Sequence, residues 1–423
     1  MKDYICAIDI GSSLCQVLVG RPLSESAGDR AGDHVEVIGV GTAPTRGVRS
    51  GSIVNIEATV QAVSEAVREA ELMSGLAADE ILINITGKHL KGDNSRGVIA
   101  VTNKERIVSE SDVLRVIEGA QNIRIPADQE IIHVLSREFT VDDQTGIKDP
   151  VGMTGIRLEA DVHIVTAGVT ALTNFNKVVS GAGLNAAGGV MSSLASAEAV
   201  LDPGEKDLGV AVIDIGGGIC DIVMYVEGGV IFSSVVPLGG IHVTQDLSIG
   251  LKAPMEVAEV VKKNYGAARS SVVDPTEKIE LPGIPGRPPR WVLRQQLAGI
   301  IEPRMVEILE MIDTELLKSG KKNFLAGGVV LTGGGSLLEG MEDLAEETLG
   351  LSVTVRSPMN VEGFVDRVST PEFATSVGIL HYTSRVAGAG GGGWDDRQAT
   401  RSSSSGGGHS MADRIRNWIS ENL

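Results

Sequence analysis

A chain of 423 residues with 42% hydrophobic content exceeds what one core sustains, because single cores rarely grow past roughly 250 to 300 residues, so two or more domains are expected. The formal net charge of -18 repels phosphate backbones, which argues against nucleic acid as a partner, and leaves any contact with anionic lipid to a local segment. Cys6, Cys15 and Cys220 sit in apolar runs without C-x-x-C spacing and read as buried, reduced thiols; the start Met1-Lys2-Asp3 lacks the regions of a signal peptide, and no run approaches the roughly 18 apolar residues of a membrane span, so a soluble or peripheral cytosolic protein is expected.

Taken in chain order, residues 4–20 (YICAIDIGSSLCQVLVG) read as strand, small-residue turn and strand, the pattern of a β-hairpin. Helical periodicity follows over about 57–74, 109–123 and 170–182, interleaved with strands near 81–86, 97–101, 131–140 and 156–166. Residues 209–226 (GVAVIDIGGGICDIVMYV) repeat the first hairpin: Ile8-Asp9-Ile10-Gly11 recurs letter for letter as Ile213-Asp214-Ile215-Gly216. A repeat half a chain apart predicts two related domains. A strand near 229–236, helices around 254–265 and 293–319 and a strand at 328–332 complete the mixed α/β layout, punctuated by the Pro-rich loop at 281–290.

Each hairpin carries an Asp at the end of a hydrophobic strand, directly before a turn too small to keep a phosphate from the backbone N–H groups. Two such turns facing one another make a phosphate clamp, with Gly11, Ser12 and Ser13 on one side and Gly216, Gly217 and Gly218 on the other. Asp9 and Asp214 then flank the phosphate tail, placed to hold a magnesium ion through its waters, and Asp221 is a weaker candidate for the same shell. One Asp alone would read as a turn cap, whereas two in identical contexts favour the functional reading. A third cluster, Gly333-Gly334-Gly335, follows an apolar strand and precedes a helical stretch over 337–349, where backbone can approach a base or ribose.

In the order hairpin, hairpin, Gly turn, these clusters resemble the phosphate-1, phosphate-2 and adenosine motifs of the actin, sugar-kinase and heat-shock ATPase superfamily. The phrases GVRSGSIVNIEATVQAV (47–63), GIKDPVGMTGIRLEADVHIVTA (146–167), GRPPR (286–290), IEPR (301–304) and VVLTGGGSLLEGM (329–341) look like the FtsA family. That resemblance implies an α/β, actin-like (ribonuclease H-like) two-domain ATPase fold. Its first core subdomain would span 1–85 and 161–195, its inserted small subdomain 86–160, its second core 196–239 and 301–385, and its upper lobe 240–300. It implies ATP and Mg2+ as ligands, with Glu259 and Lys262, three apart on one helical face, bordering the ribose. It also implies as partners the C-terminal peptide of the tubulin-like FtsZ, further copies of the chain in filaments, and downstream division proteins. Arg287, Arg290, Arg294 and Arg304 offer bidentate contacts to an acidic peptide, with an ordinary solvated basic face as the equal alternative. Relatives commonly carry Lys where Leu14 stands and Thr where Ile219 stands, which removes one cation and one hydroxyl near the phosphates. No residue stands out as the one that positions an attacking water, so ATP binding with at most weak hydrolysis is expected. The competing readings are a kinase or vigorous ATPase using the same cleft, and a pilus-assembly adaptor of the same fold.

The Gly/Ser-rich segment 386–410 cannot bury enough apolar surface to offset its ordering entropy and reads as a flexible linker. Beyond it, at 411–423, Met411, Ile415, Trp418 and Ile419 define one face of a short amphipathic helix, with Ser410 and Asp413 in capping-box spacing. At about 20 Å it is too short to cross the roughly 30 Å hydrocarbon layer, and it would lie in the interface with Trp418 as anchor. The expected location is the cytoplasmic face of the cell membrane at the division site.

Overall fold

In the computed structural model, which describes residues 4–23, 34–78, 80–283 and 288–389, the two hairpins seed two sheets of the same topology. In the first sheet, Ile5–Ile10 pairs antiparallel with Leu14–Pro22, which pairs antiparallel with Val35–Pro44; on its other side Ile5–Ile10 runs parallel to Glu80–Ile85 and that strand parallel to Asn185–Met191. In the second, Val210–Ile215 pairs antiparallel with Cys220–Val226 and that with Gly229–Val236, while Val329–Thr332 and Val353–Val355 extend the sheet in parallel. A meander of three antiparallel strands followed by two parallel ones therefore occurs twice. The short strand Val361–Gly363 adds to the outer edge of the first sheet.

The expected helix over 57–74 is Ile56–Ser74. Asn55 starts it, its side-chain oxygen accepting from the Ala58 N–H at 3.1 Å, and Gly75 ends it at φ 70°, a left-handed conformation that glycine adopts without steric cost. Its buried residues Thr59, Ala62, Val63, Ala66, Val67 and Ala70 follow helical spacing and pack on the first sheet. The long helix Arg294–Lys318 buries Leu297, Ile301, Met305, Ile308, Ile312 and Leu316 against the second sheet in the same way.

A four-stranded antiparallel sheet of Lys91–Ala100, Arg157–Gly168, Gln129–Val141 and Gln144–Ile147, with the helix Glu110–Ala120 on one face, interrupts the first half. It has its own core, in which Val113, Val116 and Ile117 meet Phe139, Leu158 and Val162. It also touches the second half: Asn94 donates to the Ile231 carbonyl at 2.9 Å, His163 Nε2 lies 2.8 Å from the Ser233 hydroxyl, and Lys148 donates to the Glu227 carbonyl.

Between the two main sheets lie helices Ser192–Val200 and Ala374–Ala389, buried on nearly all sides as far as Ser384. Neither helix, nor the strands Val35–Pro44 and Asn185–Met191, nor the helix Gly240–Leu251, was apparent as an element from periodicity. All three cysteines are free and buried, and no helix among the described residues is long and apolar enough to cross a membrane.

Candidate functional site

The two hairpins meet turn to turn. A Cβ added to Gly217 would lie 2.1 Å from Ser13 Oγ, and one added to Gly218 would lie 2.4 Å from Ser12 Oγ, so only glycine fits opposite the two serines. Each turn closes on itself in the same way: the Gly11 N–H donates to the Leu14 carbonyl at 3.0 Å and the Gly216 N–H to the Ile219 carbonyl at 2.9 Å.

Asp9 and Asp214 end their strands behind these turns, and Asp221 faces Asp214 across the second hairpin. Desolvation pushes the Asp9 carboxyl up to about 7, with the Asp214 charge adding to the rise. Desolvation likewise lifts Asp221 to about 8, opposed by a hydrogen bond from Thr86 Oγ1 at 2.5 Å and reinforced by Asp214 and Asp9. Asp214 is raised by burial, although hydroxyls of Ser196 at 2.7 Å and Thr375 at 3.0 Å donate to its Oδ2. Three carboxylates thus act on one another in desolvated surroundings, and among the described residues no side-chain cation offsets them. Among the described residues no three acidic, His or Cys side chains form a direct metal site; a divalent cation would be held here through its waters, its charge offsetting the carboxylates' mutual repulsion. Asp221, the weaker candidate in the sequence, stands level with the other two.

The third Gly cluster reaches the same carboxylates. Gly333 has φ 80°, and a Cβ there would lie 2.2 Å from Asp214 Oδ1; one on Gly335 would lie 2.3 Å from Ile215 Cγ2. A 3-10 turn over Gly334–Leu337 replaces the start of the expected helix, and the α-helix begins at Met341. Gly334 has open space toward the Glu372 side chain, 3.8 Å from a would-be Cβ.

Glu259 and Lys262 lie on the helix Met255–Tyr265, behind the second turn. Lys262 Nζ is 2.7 Å from Glu259 Oε2 and donates to the Gly240 carbonyl at 3.0 Å and to Thr244 Oγ1 at 2.9 Å. Gly240 in turn donates to the Gly216 carbonyl at 3.0 Å, so this pair is wired to the clamp through one helix start. Burial lowers the Lys262 pKa and Glu259 pulls it back up.

The described arginines of the expected peptide site, Arg290, Arg294 and Arg304, are engaged within the chain. Arg290 donates to the Leu251 carbonyl; Arg294 pairs with Glu277 at 3.1 Å and with Glu339; Arg304 pairs with Asp246 at 2.6 Å and with Glu307. Arg287 and the tail residues Met411, Ile415, Trp418 and Ile419 lie outside the described residues.

Periodicity missed several contributors. Asn84 accepts from the Ile10 N–H at 2.8 Å and donates to Ser192 Oγ at 3.2 Å, tying the first hairpin to the buried helix. Thr86, Ser196 and Thr375 supply hydroxyls to the carboxylates from three separate elements, and only the fold assembles them.

A family model described as cell division protein FtsA matches residues 211–378, and one described as the SHS2 domain inserted in FtsA matches 87–166. The chain is 39% identical over 378 residues to the cell division protein FtsA of Pseudomonas aeruginosa, covering 89% of this chain and 88% of that one. It is 40% identical to that of Neisseria meningitidis, covering 92% of each, and 35% identical to that of Escherichia coli K12, covering 90% of each. Among solved structures, the PilM-PilN type IV pilus biogenesis complex superposes with a TM-score of 0.61 at 18% identity, over 90% of this chain and 98% of that one. MreB5 of Spiroplasma citri bound to ADP does so with 0.51 at 12% identity, over 90% and 95%. These two likenesses establish the actin-like fold, and the much higher identity over nearly whole chains excludes the pilus adaptor as the nearer kin. With twin sheets of one topology, an inserted four-stranded subdomain, and relatives at 35 to 40% identity along nine-tenths of its length, the chain belongs to the FtsA family of cell-division proteins.

Proposed function

We propose that this chain binds ATP with Mg2+ in the cleft between its hairpins, polymerises in that state, and links filaments of the tubulin-like FtsZ to the cytoplasmic face of the membrane at the division site. The observation that carries the reading is the apposition of two turns, each preceded by Ile-Asp-Ile-Gly, beside three carboxylates of which Asp214 and Asp221 are buried and Asp9 half-buried. Backbone N–H groups of Ser12, Ser13, Gly217 and Gly218 hold the phosphates, in turns that Gly11 and Gly216 close through their own N–H groups; Asp9 and Asp214 hold the magnesium through water, and Gly333, Gly334 and Gly335 face the adenosine, with Glu259 and Lys262 toward the ribose. When bound, magnesium supplies the positive charge that this pocket lacks. Hydrolysis is at most slow.

The tail helix at 411–423 anchors weakly as a single copy, because helices shorter than about 12 to 15 residues are marginal in water and must fold as they insert. A filament aligns many tails, and avidity of roughly 10² to 10⁴ converts weak contacts into attachment. The FtsZ tail peptide docks on the upper lobe by exchanging partners with the carboxylates that hold Arg294 and Arg304. Downstream division proteins are recruited to the assembled polymer.

The deciding measurement is calorimetric titration of ATP with magnesium, followed by vesicle co-sedimentation with the FtsZ peptide. Micromolar binding and ATP-dependent co-sedimentation are expected; absence of any adenine-nucleotide binding would overturn the reading. A steady-state phosphate-release rate of about 1 to 100 per second would favour a kinase or vigorous ATPase instead.

A further inference from the structure

The inserted subdomain interrupts the first half of the chain but packs along the second. The strand Gly229–Val236 is the edge of the second sheet, and its register against Cys220–Val226 slips between Met224 and Tyr225, so that Ile231 has no partner in that strand. The insert supplies what this bulge leaves open: the Asn94 side-chain amide donates to the Ile231 carbonyl at 2.9 Å. Directly opposite Asn94 in the insert's own sheet stands the buried His163, whose Nδ1 lies 2.9 Å from Asn94 Oδ1 and whose Nε2 lies 2.8 Å from the Ser233 hydroxyl.

These contacts fix one another. With Asn94 Nδ2 committed to a carbonyl, Asn94 Oδ1 can only accept, so His163 Nδ1 carries the proton and its Nε2 accepts from Ser233 Oγ. That arrangement needs a neutral imidazole, and burial, aided by the Arg137 charge, pushes His163 down to about 4. The relay therefore runs from Ser233 through His163 and Asn94 to Ile231, and it starts and ends on one strand of the second half. Gly92 permits the close approach: a Cβ there would lie 2.4 Å from Ser233 Oγ and 2.7 Å from His163 Nε2. At the start of the same strand, Lys148 donates to the Glu227 carbonyl, and a Cβ on Gly229 would lie 2.9 Å from the Arg137 Cα.

Ser233 stands opposite Val223, two residues along the hairpin from Asp221, and Asp221 in turn receives Thr86 Oγ1 from the root of the insert. The insert thus holds the second hairpin at its head and along its outer strand, whereas the two halves share their main apolar contact through the central helices Ser192–Val200 and Ala374–Ala389. Bodies joined at one place can turn about it, and a second join away from it removes that freedom; opening then leaves a buried imidazole nitrogen and a hydroxyl unpaired. We propose that His163 is a positioning residue: through Ser233 it braces the inserted subdomain to the second half and keeps the two phosphate turns apposed, so that a nucleotide bound between them is released slowly. The inference rests on the nucleotide-cleft reading and adds to it a contact outside the phosphate turns that governs release.

The test is stopped-flow release of a fluorescent ATP analogue, with magnesium, from the full-length wild type, Ser233→Ala, Ser233→Thr, His163→Gln and the double variant Ser233→Ala/His163→Gln, with a thermal melt and hydrogen exchange of segments 91–100 and 229–236 for each. Ser233→Ala is expected to release about five- to tenfold faster, the effect of one buried hydrogen bond left unmade, with faster exchange in both segments and a single cooperative melt. Ser233→Thr keeps the hydroxyl and should stay within about twofold of wild type, and the double variant should release no faster than the faster single variant, because both changes act through one contact. Unchanged release in Ser233→Ala overturns the positioning role while leaving the cleft standing, since faster exchange alone marks the contact as structural; additive acceleration in the double variant overturns it as well. A wild type that binds no adenine nucleotide removes the nucleotide-cleft reading itself and the positioning role with it.

Discussion

Gly217 shows how much a single missing atom decides at the residue scale. Its would-be Cβ overlaps Ser13 Oγ, so a branched side chain must push the two turns apart. Gly217→Val is expected to weaken ATP binding by more than about tenfold, read by fluorescent-nucleotide titration, with a cooperative melt retained because the turn lies outside the cores. Glu198 illustrates the opposite case, a buried charge that is fully partnered. Desolvation raises its carboxyl, yet Lys206 at 2.9 Å and Arg385 at 2.7 Å outweigh this and hold it down to about 2. A depressed carboxyl contributes stability above its unfolded pKa and loses it as pH falls through the folded one, so this contribution is present above about pH 4.5 and is lost between there and about pH 2. Glu198→Gln should cost about 3 kcal/mol at pH 7 by urea melts and much less at pH 3; equal costs at both pH values would contradict the assignment. The carboxylates Asp9 and Asp214 were legible as a pair because identical tetrapeptides surround them. The hydroxyls that serve them were not, since Ser and Thr carry no signal in sequence until a fold aims them.

At the scale of elements, the hairpins and amphipathic helices were legible and the central helices were not, and burial explains the difference. Ile56–Ser74 has one wet face and therefore a visible period, whereas Ser192–Val200 is buried on almost every side and offers periodicity nothing to detect. The strands Val35–Pro44 (VEVIGVGTAP) and Asn185–Met191 (NAAGGVM) are glycine-containing and hold their place through pairing. The two central helices cross where Gly378 faces Ala195, and a Cβ on Gly378 would lie 1.7 Å from the Ala195 carbonyl oxygen. Gly378→Ala is therefore expected to separate them and to cost about 1 to 3 kcal/mol or more, seen as a lower urea midpoint. A midpoint unchanged from wild type would mean the crossing is softer than its geometry.

For the whole molecule, the proposed nucleotide binding, polymerisation and membrane attachment would reside in separate segments and be joined by linkage. If the tail segment anchors as proposed, Trp418→Glu is expected to leave ATP affinity intact while abolishing sedimentation with anionic vesicles, because a charge then replaces the segment's largest apolar side chain. Retained sedimentation would refute the anchoring role. On the proposed assignment of FtsZ-peptide docking to 240–300 and of anchoring to 411–423, truncating the tail at residue 410 should spare binding of the FtsZ peptide in solution and remove only its recruitment to vesicles.

Local pattern was enough to reveal that this protein has two related halves, with an Asp and a glycine turn at the head of each, because repeats and turn chemistry are written in neighbouring residues. Which residues meet was decided by tertiary structure. Asp221 lies beside Asp214 only because hairpin register sets it opposite, Thr86 reaches it from the root of an inserted subdomain, and Gly51 meets Ser12 only because a two-residue turn is wedged against Gly218 and Gly87. Desolvation and charge proximity, the forces that raise Asp9, Asp214 and Asp221 in this cleft, are properties of assembled neighbours, and no stretch of sequence contains them.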